Sequence, residues 1–449
     1  MKETIRINGS VVASDQPAAN RDGEPVIHFK EAMKAILEYE AATAFSDIIR
    51  EELPAIVSHW LQTPEEAPIL LDETYRDRWQ ELLRARIMPE GTRKKSKKSA
   101  HPPFHISFDD LPFPPQTKHH FTFIDLFAGI GGFRIGLSRH GGKCVFSSEW
   151  ERHAKETYFQ NYGEVPFGDI TNFTKTCKAD EMEPEKIPQH DILCGGFPCQ
   201  PFSQAGRQLG FNDARGTLFF DILTIAKTQR PKVLFLENVK RLKGHDGGKT
   251  FCVICNSLRE IGYKVYAKVV RAYDHGVPQN RERIFIVAFS EPLHFEFPKE
   301  ARHSIYKNVG EVLEKKVDEY YTISDRMWAG HQRRLEEHKR KGNGFGYSLF
   351  KKDALYVNTI SARYWKDGSE ILIHQNNKNP RILTPRECAR IQGYPEILEL
   401  HQSRRWAYQQ FGNSVAVPVI SAIAESITRS LHEHKPCINT LDPLEAVIL

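Results

Sequence analysis

A chain of 449 residues is long enough for two or three domains, and its 40% hydrophobic and 11% aromatic content rules out a wholly disordered or fibrous protein. No stretch offers the roughly eighteen uninterrupted apolar residues of a membrane span, and the opening residues carry no apolar signal core. Eight cysteines fit a reducing compartment, and a net charge of +5 permits a polyanionic partner without demanding one.

Residues 1–88 read as a helical N-terminal extension. Phe29, Met33, Ile36 and Leu37, then Phe45, Ile48 and Ile49, recur at helical spacing, while Trp60, Leu61, Leu70, Trp79 and Leu82 offer a small core. With no metal-ligand set or nucleotide loop, a packing or regulatory module is expected, a DNA-binding module being the alternative. Residues 89–118 form a basic and proline-rich linker, from Arg93–Lys98 through Pro102, Pro103, Pro112, Pro114 and Pro115.

From Phe121 the pattern changes to short apolar runs separated by helical ones. Phe121–Phe127, Lys143–Ser148, Asp191–Cys194, Val233–Glu237 and Ile284–Phe289 predict strands, and Leu218, Phe219, Ile222, Leu223 and Ala226 a helix. That alternation predicts an α/β fold, a doubly wound and mostly parallel sheet over 119–290, with ligands at the strands' carboxyl ends. It fades over 291–380, where flexible glycines (Gly342, Gly344, Gly346), basic clusters (Arg333-Arg334, Lys339-Arg340-Lys341) and aromatics predict a smaller irregular domain. Thr384 and Pro385 then start a helix within a segment, 381–435, that returns to the first domain, before a tail over 436–449.

Four constellations carry chemistry. Asp125 to Gly132 (DLFAGIGG) is a strand running into a glycine-rich turn, with Glu149 twenty residues after Gly129 where it is placed to hold a ribose, and Trp150 beside it to stack on an adenine. Cys199, on a glycine- and proline-shaped loop, suits a nucleophile, whereas Cys194 within the strand suits a buried structural role. Glu237 ends a strand after four apolar residues, so partial desolvation should raise its pKa and suit it to donate a proton. Arg281 and Arg283 share one side of a strand and suit a carboxylate or phosphate, a structural ion pair being the alternative for these charges. The stretch Gly244–Gly248 before Lys249 and Thr250 is one residue short of a phosphate loop, and Cys252 and Cys255 lie in an apolar helical pattern without a second pair, so no metal is expected.

In this order and at these spacings the residues resemble the C5-cytosine DNA methyltransferases of bacterial type. The resemblance runs from Phe121 to about Ile427 and rests on DLFAGIGG, Pro198-Cys199-Gln200, Glu237-Asn238-Val239, Arg281 and Arg283 after Gln279, and Phe411-Gly412-Asn413-Ser414-Val415. It implies the S-adenosylmethionine-dependent methyltransferase fold, with Phe127, Gly129, Gly131, Glu149, Trp150, Asp169, Ile170 and Asn413 around S-adenosylmethionine, and Asp169 on the adenine amino group. It further implies that Cys199 attacks C6 of a flipped-out cytosine, Glu237 contacts N3 and the amino group, Arg283 holds O2, and Arg281 supports the surrounding loop. Ser203–Thr217 resembles the family's mobile DNA-closing loop, giving Gln204, Arg207 and Arg215 as DNA contacts, and residues 291–380 its target-recognition domain. Within that domain Gly342–Tyr347 and Thr359–Gly368 resemble enzymes methylating CCWGG, CCNGG or CCGG, with Arg363 the candidate guanine reader and a phosphate or carboxylate partner its alternative.

The expected partner is double-stranded DNA, bound by a monomer in a bacterial cytoplasm at the nucleoid. A cognate restriction endonuclease is the further partner expected within a restriction–modification system, and no membrane is involved. The related branch that methylates tRNA, and an N-terminal region acting as a transcriptional regulator, are the competing expectations.

Overall fold

The computed structural model describes residues 25–41, 43, 45, 47–64, 73–87, 104–174, 186–198, 218–300, 306–344 and 346–433. Strand β1 (Val26–His28) leads into helices α1 (Phe29–Glu40), α2 (Asp47–Gln62) and α3 (Glu73–Ile87). Phe29, Met33, Ile36, Trp60, Leu61 and Trp79 are buried, with Trp60 edge-on to Trp79 at 5.3 Å. This module is not tethered at a distance. Its core continues into Phe146, Phe159, Val165 and Phe167 of the following domain, because the apolar faces of helices this short need a partner surface. The proline-rich linker also contributes structure: β2 (His105–Ser107) pairs in parallel with β1, and Leu111 is buried, so the prolines flank a strand instead of abolishing it.

The main sheet uses β3 (Phe121–Leu126), β4 (Gly142–Ser148), β5 (Ile192–Gly196), β6 (Val233–Val239), β7 (Lys264–Arg271) and β8 (Glu282–Phe289) in the order β4–β3–β5–β6–β8–β7. The first four are parallel, and β8 runs antiparallel to both β6 and β7. All five predicted strands are present. β7 escapes the sequence reading because its lysines and half-exposed positions (KVYAKVVR) dilute the apolar run, as suits an edge strand. Helices α4 (Gly132–Ser138), α5 (Arg152–Tyr162), α6 (Thr171–Thr174), α7 (Leu218–Gln229) and α8 (Lys249–Glu260) cover the two faces. α8 carries Cys252 and buried Cys255.

The segment from 291 to 380 holds α9 (Asp325–Arg340) and a two-stranded parallel pair, β9 (Leu349–Phe350) and β10 (Leu372–Ile373). It shares a third core with Ile130, Tyr158 and Tyr162 of the main-sheet domain and with α10 (Pro385–Ile391) and α11 (Arg404–Asn413). Thr384 caps α10 through a reciprocal capping box with Glu387. α12 (Val417–Glu433) packs on α4 against the sheet. The stretch Arg404–Glu433 has the length and apolarity to cross a membrane, but 61% of its most apolar window is buried inside the protein.

Candidate active site

The reversal of β8 creates the site. It brings the amino end of β8 to the sheet edge where β3 to β6 end, pairing Arg283 with Val239 two residues beyond Glu237. Glu237 is 8% exposed, and the guanidinium Nε of Arg283 lies 3.0 Å from its Oε1. Burial raises the Glu237 pKa against the opposing pull of Arg283 and Arg281, as expected for a carboxyl ending an apolar strand. A Cβ on Gly196 would stand 3.2 Å from Glu237 Oε2, so glycine there keeps the approach to the carboxyl open. Asn238 donates from Nδ2 to the Phe197 carbonyl at 2.9 Å, tying β6 to the chain two residues before Cys199. Cys199, Gln204, Arg207 and Arg215 lie outside the described residues.

Arg281 stands apart from Arg283 in surroundings. It is 3% exposed, donates to the carbonyls of Ile360 and Gly412 at 3.3 Å each, and also donates to the Ser414 carbonyl. Burial, with help from the Arg283 charge, pushes its pKa down to about 9. Gln279 acts alongside it: its Oε1 accepts from Ile360 N–H at 3.2 Å and its Nε2 donates to Ile391 O at 3.3 Å. These two side chains join β8, the 291–380 segment and the closing helices. At Gly412 a Cβ would overlap the backbone of Ala362, so only glycine lets that turn lie on α11.

The second cluster forms at the ends of β3 and β4. Phe127, Gly129 and Gly131 all take positive φ (57°, 55° and 78°), and a Cβ on Gly131 would overlap the Tyr162 ring. Glu149 accepts N–H bonds from Gly129 and Glu151 at 2.8 Å each, and burial raises its pKa against them. Trp150 next to it is 82% exposed, an indole presented to whatever binds there. Ser148 donates to the Gly168 carbonyl at 2.9 Å, which holds exposed Asp169 and buried Ile170 beside β4. Asn413 is exposed at the end of α11, next to Ser414 and Val415, which face Gly132. Four separate sequence regions thus converge on one edge.

Arg134, where a dinucleotide fingerprint would have its third glycine, is buried. It pairs with Glu164 at 2.9 Å and donates to Tyr158 at 3.1 Å. Burial alone would push the Glu164 carboxyl up, but Arg134, His59 and Ser147 hold it down to about 2. Cys194 is fully buried, donates to Ile124 O at 3.2 Å and has its pKa pushed well up by burial, as its place in the strand predicted.

Two features were missed by the sequence reading. Directly after Val239, Lys240, Arg241, Lys243 and His245 line an open cleft of about 1100 Å³. Their signal in the sequence is a basic cluster immediately following Glu237-Asn238-Val239 and overlapping the near-miss phosphate loop. In the structure Thr250 lies 2.7 Å from His245 Nδ1. The histidines, scattered in sequence, also converge once among the described residues: His153 and His401 flank Glu156. His401 Nδ1 accepts from Ser403 N–H, which leaves the ring hydrogen on Nε2, 3.4 Å from Glu156, and Arg152 supplies a guanidinium at 2.9 Å. The group is satisfied by these hydrogen bonds and the Arg152–Glu156 ion pair.

A mostly parallel sheet with one reversed strand, a glycine turn after its first strand and an acidic residue after its second define a methyltransferase of the α/β type. Residues 121–429 match the family described as C-5 cytosine-specific DNA methylase, and the chain belongs to that family. It is a DNA cytosine-5 methyltransferase. It is 50% identical over 367 residues to the Type II methyltransferase M.SsoII of Shigella sonnei, covering 80% of this chain and 91% of that one. With M1.ScrFI of Lactococcus lactis subsp. cremoris it shares 53% over 330 residues (72% and 82%), and with M.HpaII of Haemophilus parainfluenzae 43% over 337 (71% and 92%). Among solved structures, the Dnmt2 methyltransferase of S. pombe aligns with a TM-score of 0.54 at 20% identity, over 69% of this chain and 99% of that one. That likeness is one of fold.

Proposed function

We propose that this enzyme methylates one cytosine within a short double-stranded DNA sequence as the modification partner of a restriction–modification system. It would work as a monomer in the bacterial cytoplasm, at the nucleoid, beside a cognate endonuclease. Its relatives carry the name Type II methyltransferase, which supports DNA over tRNA as substrate and modification over transcriptional control. The observation that carries the mechanism is buried Glu237 paired with half-buried Arg283 at the edge to which Asn238 ties Phe197, two residues before Cys199.

Cytosine C5 is a poor nucleophile. A Cys199 thiolate adding to C6 forms the C–S bond and moves electron density onto the ring. Glu237, its pKa raised by burial, supplies a proton at N3 as that density arrives, and Arg283 holds O2. Arg281 supports the pocket from behind. After C5 is methylated, water takes the C5 proton, the C–S bond breaks to release the Cys199 thiolate, and the N3 proton returns to Glu237, which restores the ring. The donor set fits S-adenosylmethionine, which the family uses. The Gly129–Gly131 turn admits close approach, Glu149 faces it as an acceptor, and Trp150 and Asp169 are exposed alongside. When bound, S-adenosylmethionine supplies an electrophilic methyl group, and no metal is needed.

Gln204, Arg207 and Arg215 would contact the duplex, and Arg363 would read a guanine of a CC-containing palindrome. DNA carrying 5-fluorocytosine tests the covalent step, since fluorine at C5 blocks release. A Cys199 adduct that survives denaturant is expected. Its absence would overturn the mechanism.

A further inference from the structure

The N-terminal extension touches the cofactor side of the sheet at one place that packing alone does not explain. Helix α2 lies along the chain from Tyr162 to Gly168, and its polar side chains bond backbone there. Gln62 Nε2 donates to Tyr162 O at 2.8 Å, Ser58 Oγ accepts from Val165 N–H at 2.9 Å, and Glu52 accepts from Gly168 N–H at 2.9 and 3.0 Å. His59 sits 3.3 Å from Glu164, within the buried group that anchors Arg134 of α4. Gly168 immediately precedes Asp169, and its carbonyl is held from the other side by Ser148.

Glu52 is buried, an expensive location for a carboxylate on a helix that has no catalytic motif of its own. Both of its oxygens accept from the Gly168 N–H, at the residue that follows the bridge between Phe167 and Ser148 of β4. A Cβ on Gly168 would stand 2.6 Å from Glu52 Oε1, so residue 168 is shaped to receive this carboxylate. Burial raises the Glu52 pKa, opposed by the Lys155 charge and the Gly168 N–H.

We propose that Glu52 is a positioning residue for S-adenosylmethionine binding: the N-terminal helix α2 clamps the Gly168 backbone and thereby sets Asp169 against the adenine. The proposal rests on the reading of Asp169 as the adenine contact. It makes residues 1–88 part of the cofactor site and gives the extension a role inside the reaction.

The test is S-adenosylmethionine affinity by calorimetry on the full chain, for Glu52→Ala, Glu52→Gln, Asp169→Ala and the Glu52→Ala/Asp169→Ala double variant. Loss of one charge-assisted bond that orders a contact should weaken binding about tenfold in Glu52→Ala. Glu52→Gln, whose amide oxygen still accepts, should retain most of the affinity. Gly168→Ala displaces the carboxylate with α2 intact, so it should match Glu52→Ala and asks the same question should that variant not fold. In the double variant the loss should equal that of Asp169→Ala alone. KM for S-adenosylmethionine should rise while kcat at saturation, and DNA affinity without cofactor, stay near the parent values. Full affinity in both Glu52→Ala and Gly168→Ala beside a loss in Asp169→Ala would overturn the clamp, as would additive losses in the double variant. Full affinity in Asp169→Ala would instead overturn the adenine reading beneath it.

Discussion

Glu149 shows how one side chain serves two ends. Its carboxylate fixes the glycine turn by accepting from Gly129 N–H and Glu151 N–H, and the proposed cofactor site would use it to hold a ribose as well. Glu149→Ala should weaken S-adenosylmethionine binding by roughly 1–3 kcal/mol, the cost of leaving polar partners without their charged acceptor. Calorimetry that finds unchanged affinity would place the ribose elsewhere. His190 supplies a pH signature. Burial pushes its pKa down to about 4, despite the Pro188 carbonyl at 2.7 Å and nearby Asp191. Between the ordinary histidine value near 6.5 and about 4, the unfolded chain binds a proton that the folded chain refuses, so this residue costs stability as pH falls through that window. His190→Gln should therefore gain stability relative to the parent on acidification, by about 3 kcal/mol across the window. Urea titrations at pH 7 and pH 4.5 that give the same difference would refute it.

Among elements, the sheet's parallel half was legible because buried strands read as continuous apolar runs, and the glycine turn because positive φ favours glycine. The reversal of β8 was not legible, since direction leaves no mark on an apolar run; only the structure explains why Arg283 meets Glu237. Arg281 could be read as a partner of acidic groups, yet its burial turns it toward three backbone carbonyls. The end of the α/β alternation near residue 291 was legible by composition, and reading 291–380 as the target-recognition segment is our proposal. Arg363 sits exposed on a turn beside fully buried Tyr364, with no ion pair among the described residues. Arg363→Ala should cost about 1–3 kcal/mol at one guanine and relax the choice there. Lys339→Ala or Lys341→Ala, at the exposed end of α9, should weaken all sequences equally and lower the salt dependence. Binding titrations against single-base variants of the site separate the two, and uniform weakening in Arg363→Ala would remove it from readout.

At the scale of the whole molecule, helical spacing foresaw α1 to α3 but not their seat. Amphipathic pattern marks a face for burial without naming what buries it, and the partner surface here lies about a hundred residues away, as in the Gln62–Tyr162 bond. Removing residues 1–88 would expose Phe159, Val165 and Phe167, so the truncated enzyme should lose stability and cofactor affinity. Whatever activity it keeps should fall on the same sequence, because the candidate readers lie in 291–380. A changed methylation map in the truncated protein would move specificity to the extension.

The central claim is covalent C5 methylation of a specific DNA cytosine by this one site. Bisulfite sequencing of DNA from cells expressing the full chain, beside cells expressing Cys199→Ser, tests it most directly. The account predicts one protected cytosine within a short palindromic sequence in the first and none in the second, with the variant still binding S-adenosylmethionine. Protection that persists in Cys199→Ser, or none from the parent chain, would contradict it.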